Sequence, residues 1–175
     1  AANPASPVLL DIFMTPGAFT HNTWLSADSK ICFTTDEESD SYLASFDIST
    51  LGNISELDRI QTSPGSGAVV HNTHIIQDNS IDYAVTSWYT EGLTIVDAGR
   101  PDNLVEVGRY DTSPLTASSG MEGNWGVYPF FPSGTIVASD IDSGLFVFSP
   151  NYTRACYLEG VVKNCSTGSP VSGVN

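Results

Sequence analysis

Basic residues are scarce in this sequence: six Lys and Arg stand against twenty Asp and Glu, giving a formal net charge of −14. A strongly acidic surface repels the phosphate backbone of nucleic acids and anionic lipid headgroups. We therefore expect no nucleic-acid partner. Long apolar runs are missing as well, and none approaches the roughly 18 residues that a membrane-spanning helix needs, so no membrane span is predicted.

Helical periodicity and the common catalytic motifs are also missing. Apolar residues nowhere keep a sustained i, i+3, i+4 spacing, and Gly or Pro interrupts most segments, which argues against an α-helical fold. The sequence contains no Gly-x-Ser-x-Gly elbow, phosphate-binding loop, Cys-x-x-Cys or His-Glu-x-x-His motif. We predict no catalytic residue, and the sequence favours a binding protein over an enzyme.

Only three cysteines are present. Cys156 and Cys165 flank a short segment and are predicted to form a disulfide in an oxidising compartment, whereas Cys32 lies in an apolar alternation and is expected to be buried. Lysine is rare, while Ser, Thr, Asn, Gly and Pro are abundant. Together with Ala1, which is typical of a mature or cut N-terminus, these features favour an exported β protein, secreted or held at the cell surface.

What the sequence does contain is a threefold repeat with a period of about 50 residues, and four-stranded propeller blades fall in that range. The His-Asn-Thr-Trp sequence at residues 21–24 recurs as His-Asn-Thr-His at residues 71–74. A weaker third copy is Gly-Asn-Trp-Gly at residues 123–126. Other positions that keep the spacing are Leu43, Leu93 and Leu145; Asp47, Asp97 and Ser149; and Pro16, Pro64 and Pro114.

Strand signals recur in the same order within each repeat, which predicts an all-β fold: a β-propeller built from about three four-stranded antiparallel blades. The repeats lie near residues 17–64, 65–114 and 115–154, within a propeller region of residues 1–154. Residues 6–16, with the apolar segment Val8 to Met14, are expected to form the last strand of a preceding blade. Residues 155–175 are expected to be the truncated start of a β-sandwich domain.

Three blades are too few to close a ring, since propellers have four to eight. Two arrangements are therefore open. The chain forms half of a six-bladed ring that a second copy completes, or it forms part of a ring whose other blades belong to the same longer polypeptide.

The sequences His-Asn-Thr-Trp and Thr-Thr-Asp-Glu between His21 and Glu37, with Leu-Thr-Ile-Val-Asp at residues 93–97, resemble the LVIVD-repeat β-propellers. This group includes bacterial surface proteins of the choice-of-anchor B family. The resemblance spans about residues 6–154 and implies a propeller fold and an exported, cell-surface location. The tail, with Thr-Gly-Ser-Pro-Val-Ser-Gly-Val at residues 167–174, resembles the start of a carboxypeptidase regulatory-like domain, which in exported proteins of Bacteroidetes-type bacteria follows a binding or catalytic module.

The repeated His-Asn pair is the main candidate for a functional site. Equivalent strand ends of a propeller converge on its axis, so His21 and His71 are expected to meet there with Asp36 and Asp140. Imidazoles together with carboxylates suit zinc, copper or iron. The same His and Asn side chains could instead satisfy backbone groups in turns, and this structural interpretation stays open.

Two acidic loops, residues 36–40 and 140–144, place carboxylates at close spacing, either as calcium sites or as solvated hairpins. The predicted metal ligands are His21, His71, Asp36, Glu37, Asp140 and Asp142, for calcium or a transition metal. Aromatic side chains near the same strand ends could stack on sugars or peptide groups, or fill the core. The predicted ligand-binding residues are His21, Asn22, Trp24, His71, Asn72, His74, Trp88, Tyr89, Asn124 and Trp125.

These patterns lead us to expect an exported surface module that recognises a ligand, a surface protein or a glycan through the axial mouth and its loops. Two alternatives remain open. One is a metal-dependent enzyme with His and Asp ligands at the axis. The other is a structural segment stiffened by calcium.

Overall fold

The computed structural model describes residues 5–173, and in that range the protein is built from β-strands and one short 3-10 turn, Tyr89–Glu91. The strands are β1 (Thr20–Leu25), β2 (Ile31–Asp36), β3 (Leu43–Asp47), β4 (Ser55–Ile60), β5 (Val70–Asp78), β6 (Ile81–Trp88), β7 (Gly92–Asp97), β8 (Val105–Tyr110), β9 (Asn124–Tyr128), β10 (Ile136–Asp140) and β11 (Gly144–Phe148). Between residues 5 and 173, no helix has the length and apolar character needed to cross a membrane.

The strands form three antiparallel sheets that follow one another along the chain. Sheet 1 contains β1 to β4, sheet 2 contains β5 to β8 and sheet 3 contains β9 to β11, and each strand pairs with its sequence neighbours. The predicted all-β class is confirmed, as is the meander order within each unit. Among residues 5–173, sheet 3 has three strands where four were expected. The propeller itself stays a prediction.

The segment before β1 is not the strand that its apolar pattern predicted. Residues 7–15 have no ladder partner, although Phe13 packs against Phe46 with ring centroids 4.8 Å apart and Asp11 accepts a hydrogen bond from the backbone N–H of Gly52. Its other apolar side chains, including Ile12 and Met14, are exposed. A strand needs a neighbour to satisfy its backbone groups, and residues 5–173 supply none here.

The tail also forms little regular structure. Residues 149–173 contain one isolated antiparallel bridge, between Lys163 and Pro170, and most of their side chains are exposed. Cys156 and Cys165 are free and exposed, so the structure does not form the predicted disulfide, whereas Cys32 is buried as expected. Few contacts hold the two exposed cysteines toward each other. Residues 174 and 175 of the predicted tail strand lie outside the described residues.

The three sheets stack face to face in chain order. One apolar core lies between sheets 1 and 2, where Leu43 and Phe33 meet Val96, and a second lies between sheets 2 and 3, where Leu93 meets Ile136. The first strand of each sheet lies innermost, because β5 contacts both β1 and β9. Side chains at corresponding positions of these three strands are thereby brought together.

The first strand of each sheet has a register shift at an equivalent position, which allows the three strands to be aligned residue by residue. The shifts in β1 and β5 set His21 and His71 outside the regular ladder, and in β9 the corresponding residue is Trp125. The predicted third copy at residues 123–126 is therefore displaced by two residues. The structural equivalents of His-Asn-Thr-Trp are Trp-Gly-Val-Tyr at residues 125–128, because Gly126 lies opposite Ser139 as Asn22 lies opposite Thr35.

Asp36 and Asp140 are buried anchors at the ends of equivalent second strands. Asp36 accepts hydrogen bonds from the hydroxyl of Thr15 and the backbone N–H of Gly17. Asp140 accepts from the hydroxyl of Thr112 and from the backbone N–H groups of residues 142 and 143. These carboxylates tie the Thr-Pro and Thr-Ser-Pro turns to the sheets. Their oxygens accept hydrogen bonds from these donors, which favours a structural role over the predicted role as metal ligands.

We expect Asp140→Asn to lower the free energy of unfolding by about 2 kcal/mol, because an amide cannot accept hydrogen bonds on both sides as the carboxylate does. Urea unfolding of the two proteins measures the difference. The same substitution should leave metal affinity unchanged. Weakened metal binding at unchanged stability would reinstate Asp140 as a ligand.

Candidate metal centre

The environment of His71 is that of a typical metal-binding histidine: one ring nitrogen is hydrogen-bonded, and the other has no hydrogen-bond partner. The side chain is buried, and its Nδ1 donates a hydrogen bond to the backbone carbonyl of Trp125. A carbonyl oxygen can only accept, so the proton lies on Nδ1 and the lone pair lies on Nε2. That Nε2 atom is buried and has no hydrogen-bond partner. A backbone carbonyl behind the ring is the usual outer partner of a metal-binding histidine.

His21 and Glu37 complete a compact cluster around this nitrogen. The rings of His21 and His71 are stacked with centroids 4.0 Å apart. Glu37, directly after β2, places one carboxylate oxygen 3.2 Å from Nδ1 of His21 and the other 3.6 Å from Nε2 of His71. His21 is partly exposed, so the cluster lies at the surface of the inner strands with one side open to solvent.

The three side chains lie close enough together to share one metal ion. Ligand bonds of about 2.0–2.2 Å at tetrahedral angles place the ligand atoms about 3.3–3.6 Å apart. The contacts of 3.2 and 3.6 Å lie near that spacing but run to different oxygens of Glu37, and one ligand atom from each of His21, Glu37 and His71 lies within 4.8 Å of the others. Two imidazoles and a carboxylate suit zinc, iron or copper, whereas calcium prefers an all-oxygen shell.

Tyr89 orients the carboxylate of the cluster. The side chain is buried, and its hydroxyl donates a hydrogen bond to Glu37. Burial, reinforced by the adjacent carboxylate of Glu37, raises the pKa of Tyr89 far above its usual value, so the phenol stays protonated and remains a donor. The sequence named Trp88 and Tyr89 as candidate ligand-binding residues and left open whether such aromatic side chains fill the core. Both are buried, and Trp88 donates to Thr94 within the core.

Burial lowers the pKa of His71 below 6.5, although the hydrogen bond to Trp125 acts in the opposite direction. His71 is therefore neutral at pH 7, and its approach to Glu37 is not a salt bridge. Burial also lowers the pKa of His74. Neutral imidazole is the form that binds metal.

We expect the free energy of unfolding of the metal-free protein to fall as the pH drops from 6.5 through the lowered pKa of His71. In that window the unfolded chain binds the proton that the folded protein excludes, so the stability is fully present above pH 6.5. Urea unfolding of wild type and His71→Gln at several pH values isolates this contribution, because the carboxylates titrate in both. If the free energy of unfolding of the two proteins changes with pH in the same way, His71 makes no such contribution.

A second aromatic layer lies three residues further along the same strands. Trp24 of β1 and His74 of β5 meet edge to face at 4.6 Å. Phe130 stacks on Trp24 at 5.4 Å and also contacts His74 and Tyr128. The predicted ligand residues Trp24 and His74 are thus brought together. With Trp125, whose ring lies 4.7 Å from His71, they form a partly exposed aromatic surface next to the histidine cluster.

The repeated asparagines connect neighbouring sheets. The side-chain oxygen of Asn22 accepts a hydrogen bond from the backbone N–H of Thr73, and the amide of Asn72 donates to the carbonyl of Trp125. This is the structural role that the sequence had left open for them. Asn124 is buried, and its amide has no partner among residues 5–173. Asp142, another predicted metal ligand, accepts from the backbone N–H of Gly123.

A cleft of about 430 Å³ opens at the opposite ends of sheets 1 and 2, between the β1–β2 turn and residues 98–101. Two of the carboxylates that line it already have partners. Asp82 accepts from the backbone N–H of Ala27, and Asp28 lies 3.5 Å from the ammonium group of Lys30. The histidine cluster, with its unpartnered nitrogen, is therefore the better candidate for a binding site.

The comparisons with known proteins give no family. No protein-family model matches the chain, and no curated protein matches it significantly. The resemblance to LVIVD-repeat propellers stays a prediction.

Proposed function

We propose that this chain is a metal-binding module of an exported β-propeller of the LVIVD type, in which His21, Glu37 and His71 hold one divalent transition-metal ion. The ion keeps coordination positions open toward solvent, and there it recruits an oxygen or nitrogen donor of a partner. The observation that carries this proposal is the buried, unpartnered Nε2 of His71, which lies beside the Glu37 carboxylate and the second imidazole.

A buried nitrogen without a partner costs free energy that a metal bond would offset. Most buried polar atoms in folded proteins have a partner, and those that do not call for an explanation. Water could serve a roomy polar site, but here the nitrogen faces two further metal-ligand side chains within 4.8 Å. A metal ion uses all three groups at once.

The open side of the cluster supports recognition of a partner. Three protein ligands leave at least one position free on a tetrahedral ion. His21 and Trp125 lie at the solvent-facing edge, and Trp125 is 50% exposed. A group bound to the ion would therefore lie against the indole ring, which offers apolar contact area.

The arrangement of the sheets and the composition of the chain support the propeller and its surface location. Three stacked antiparallel meanders with adjacent first strands suit propeller blades. Export is supported by the resemblance and by the composition of the chain.

A metal-dependent hydrolase is a second candidate, favoured by the donor set itself. Two histidines, one glutamate and an open position are also the ligand set of zinc peptidases, in which the metal lowers the pKa of a bound water. Zinc-dependent cleavage of an activated ester by the wild type but not by His21→Ala would support this candidate. Equal rates in the two proteins would exclude it for that substrate.

Cobalt titration tests the proposed metal site. We expect wild-type protein to bind one Co(II) and to develop the visible absorption of a tetrahedral ion. Glu37→Gln removes a charged ligand without changing its size and should weaken binding at least about 100-fold, more than an outer-shell substitution costs. Glu38→Gln, at the adjacent exposed position, is the matched control and should leave binding unchanged. Equal affinity in the two variants would overturn the proposal.

A further inference from the structure

One leucine position occurs in all three sheets with very different exposure. Leu43, Leu93 and Leu145 lie at the first or second position of the third strand of a unit and pair with Thr35, Ser87 and Ser139. Leu43 lies in the core between sheets 1 and 2, and Leu93 lies in the core between sheets 2 and 3. Their exposures are 0% and 4%, whereas Leu145 is 69% exposed. Leu145, on the outer face of sheet 3, is thus equivalent to two leucines that pack against a following sheet, but no sheet among residues 5–173 covers it.

The other exposed side chains of that face are mostly apolar, with Ser139 as a polar residue opposite Leu145. Val147, two residues along β11, is 66% exposed, and Tyr128 of β9 is also exposed. Strand β11 contains no charged residue, in a chain with twenty acidic side chains. Among residues 5–173, β11 pairs only with β10, so its other edge has free backbone groups. Such a face and edge favour association with another sheet.

The opposite end of the stack carries the complementary face. On the outer side of sheet 1, Cys32, Ala44 and Phe46 are buried beneath Phe13, and the exposed apolar surface there is that of residues 8–14. Beside Phe13, residues 11–15 and strands β1 and β2 line a cleft of about 340 Å³. Ile12, at the edge of this cleft, is 80% exposed. In sheets 2 and 3, the corresponding faces are covered by the preceding sheet.

We propose that a second copy of this chain covers both faces. The outer face of sheet 3 in each copy packs on the outer face of sheet 1 in the other, and residues 8–14 of the second copy pair with β11 as the missing fourth strand. The stacking that already joins sheet 1 to sheet 2 and sheet 2 to sheet 3 is simply continued across the interface. Each copy contributes three sheets, and the six sheets of two copies fall within the four to eight of closed propellers.

A two-copy ring makes the contact twice and leaves neither face open. Contacts between unlike faces extend into open filaments unless the rotation between units closes a ring. The alternative occupant of both faces is further sheet from a longer polypeptide. In that case the 175-residue chain would stay monomeric or aggregate without a defined size.

Light scattering coupled to size-exclusion chromatography tests this proposal. We expect a discrete particle of about twice the 18.6 kDa chain mass. Val147→Asp and Ile12→Asp each place a charge in the apolar contact and should weaken dimerisation at least about tenfold. Leu158→Asp, at a fully exposed position outside the sheets, is the matched control and should leave the dimer intact.

Mixing the two variants distinguishes this interface from a contact between like faces. A mixed dimer of Val147→Asp with Ile12→Asp contains one unmodified contact and one that carries both substitutions. It should therefore form more readily than a dimer of either variant alone. A monomer at all concentrations, aggregates of no defined size, or no recovery on mixing would overturn the proposal. The metal site plays no part in this outcome.

Discussion

Replacing His21 or His71 with alanine is expected to lower zinc affinity at least about 100-fold, because each substitution removes a metal ligand and not merely an outer-shell partner. His21 is partly exposed, so His21→Ala should reduce binding without unfolding the protein. His71 is buried and its ring packs against Tyr89 and Trp125, so His71→Ala also loses core contacts. Isothermal titration calorimetry with a competing chelator measures both affinities.

His74 provides the matched control for these substitutions. It lies three residues after His71 on the same strand and is half-buried, but it contacts Trp24 and Phe130 and not the cluster. His74→Ala should bind zinc as wild type does. If His74→Ala weakens zinc binding as much as His21→Ala does, the metal lies nearer to Trp24 and His74 than we propose.

Zinc should also raise the melting temperature by about 5–11 °C when it is present at 100 times its dissociation constant. Binding to the folded state alone adds about 2.7 kcal/mol at that concentration. For a chain of this length, each kcal/mol shifts the melting temperature by about 2–4 °C. Differential scanning calorimetry with zinc and with chelator gives the shift directly.

Calcium and His21→Ala are the controls for this experiment. Calcium prefers six to eight oxygen ligands, and the carboxylates of Asp36 and Asp140 are already occupied by hydroxyl and backbone donors. We therefore expect no shift with calcium. A calcium shift equal to the zinc shift, or a zinc shift that persists in His21→Ala, would indicate a different site.

Most of the fold could be predicted from the sequence because strand signals are local. Apolar alternation and turn residues located the strands of all three sheets, and the repeat gave their order. The first and last segments could not be predicted in this way. Residues 8–14 have the pattern of a strand, but a strand forms only where a neighbour accepts its hydrogen bonds, and that neighbour is not encoded in the segment itself.

The candidate site was predictable only in part. His21, His71 and Glu37 were found because their types and spacing suit a metal. The third copy was misaligned, because the register shift in β9 displaces the pattern and Trp125 replaces histidine there. Trp125 acts on His71 through its backbone carbonyl, and no sequence pattern reveals a carbonyl contact. Whether Tyr89 contacts a ligand or fills the core was open from the sequence, and the structure buries it against Glu37.

X-ray absorption spectroscopy of the zinc-loaded protein tests the proposed site most directly. The cluster of His21, Glu37 and His71 predicts a first shell of nitrogen and oxygen only, at about 2.0–2.2 Å, with the outer-shell signal of two imidazoles. Cys156 and Cys165 are exposed and free, and they are the competing ligands. Sulfur scattering at about 2.3 Å, or the absence of imidazole signal, would contradict the proposed metal centre.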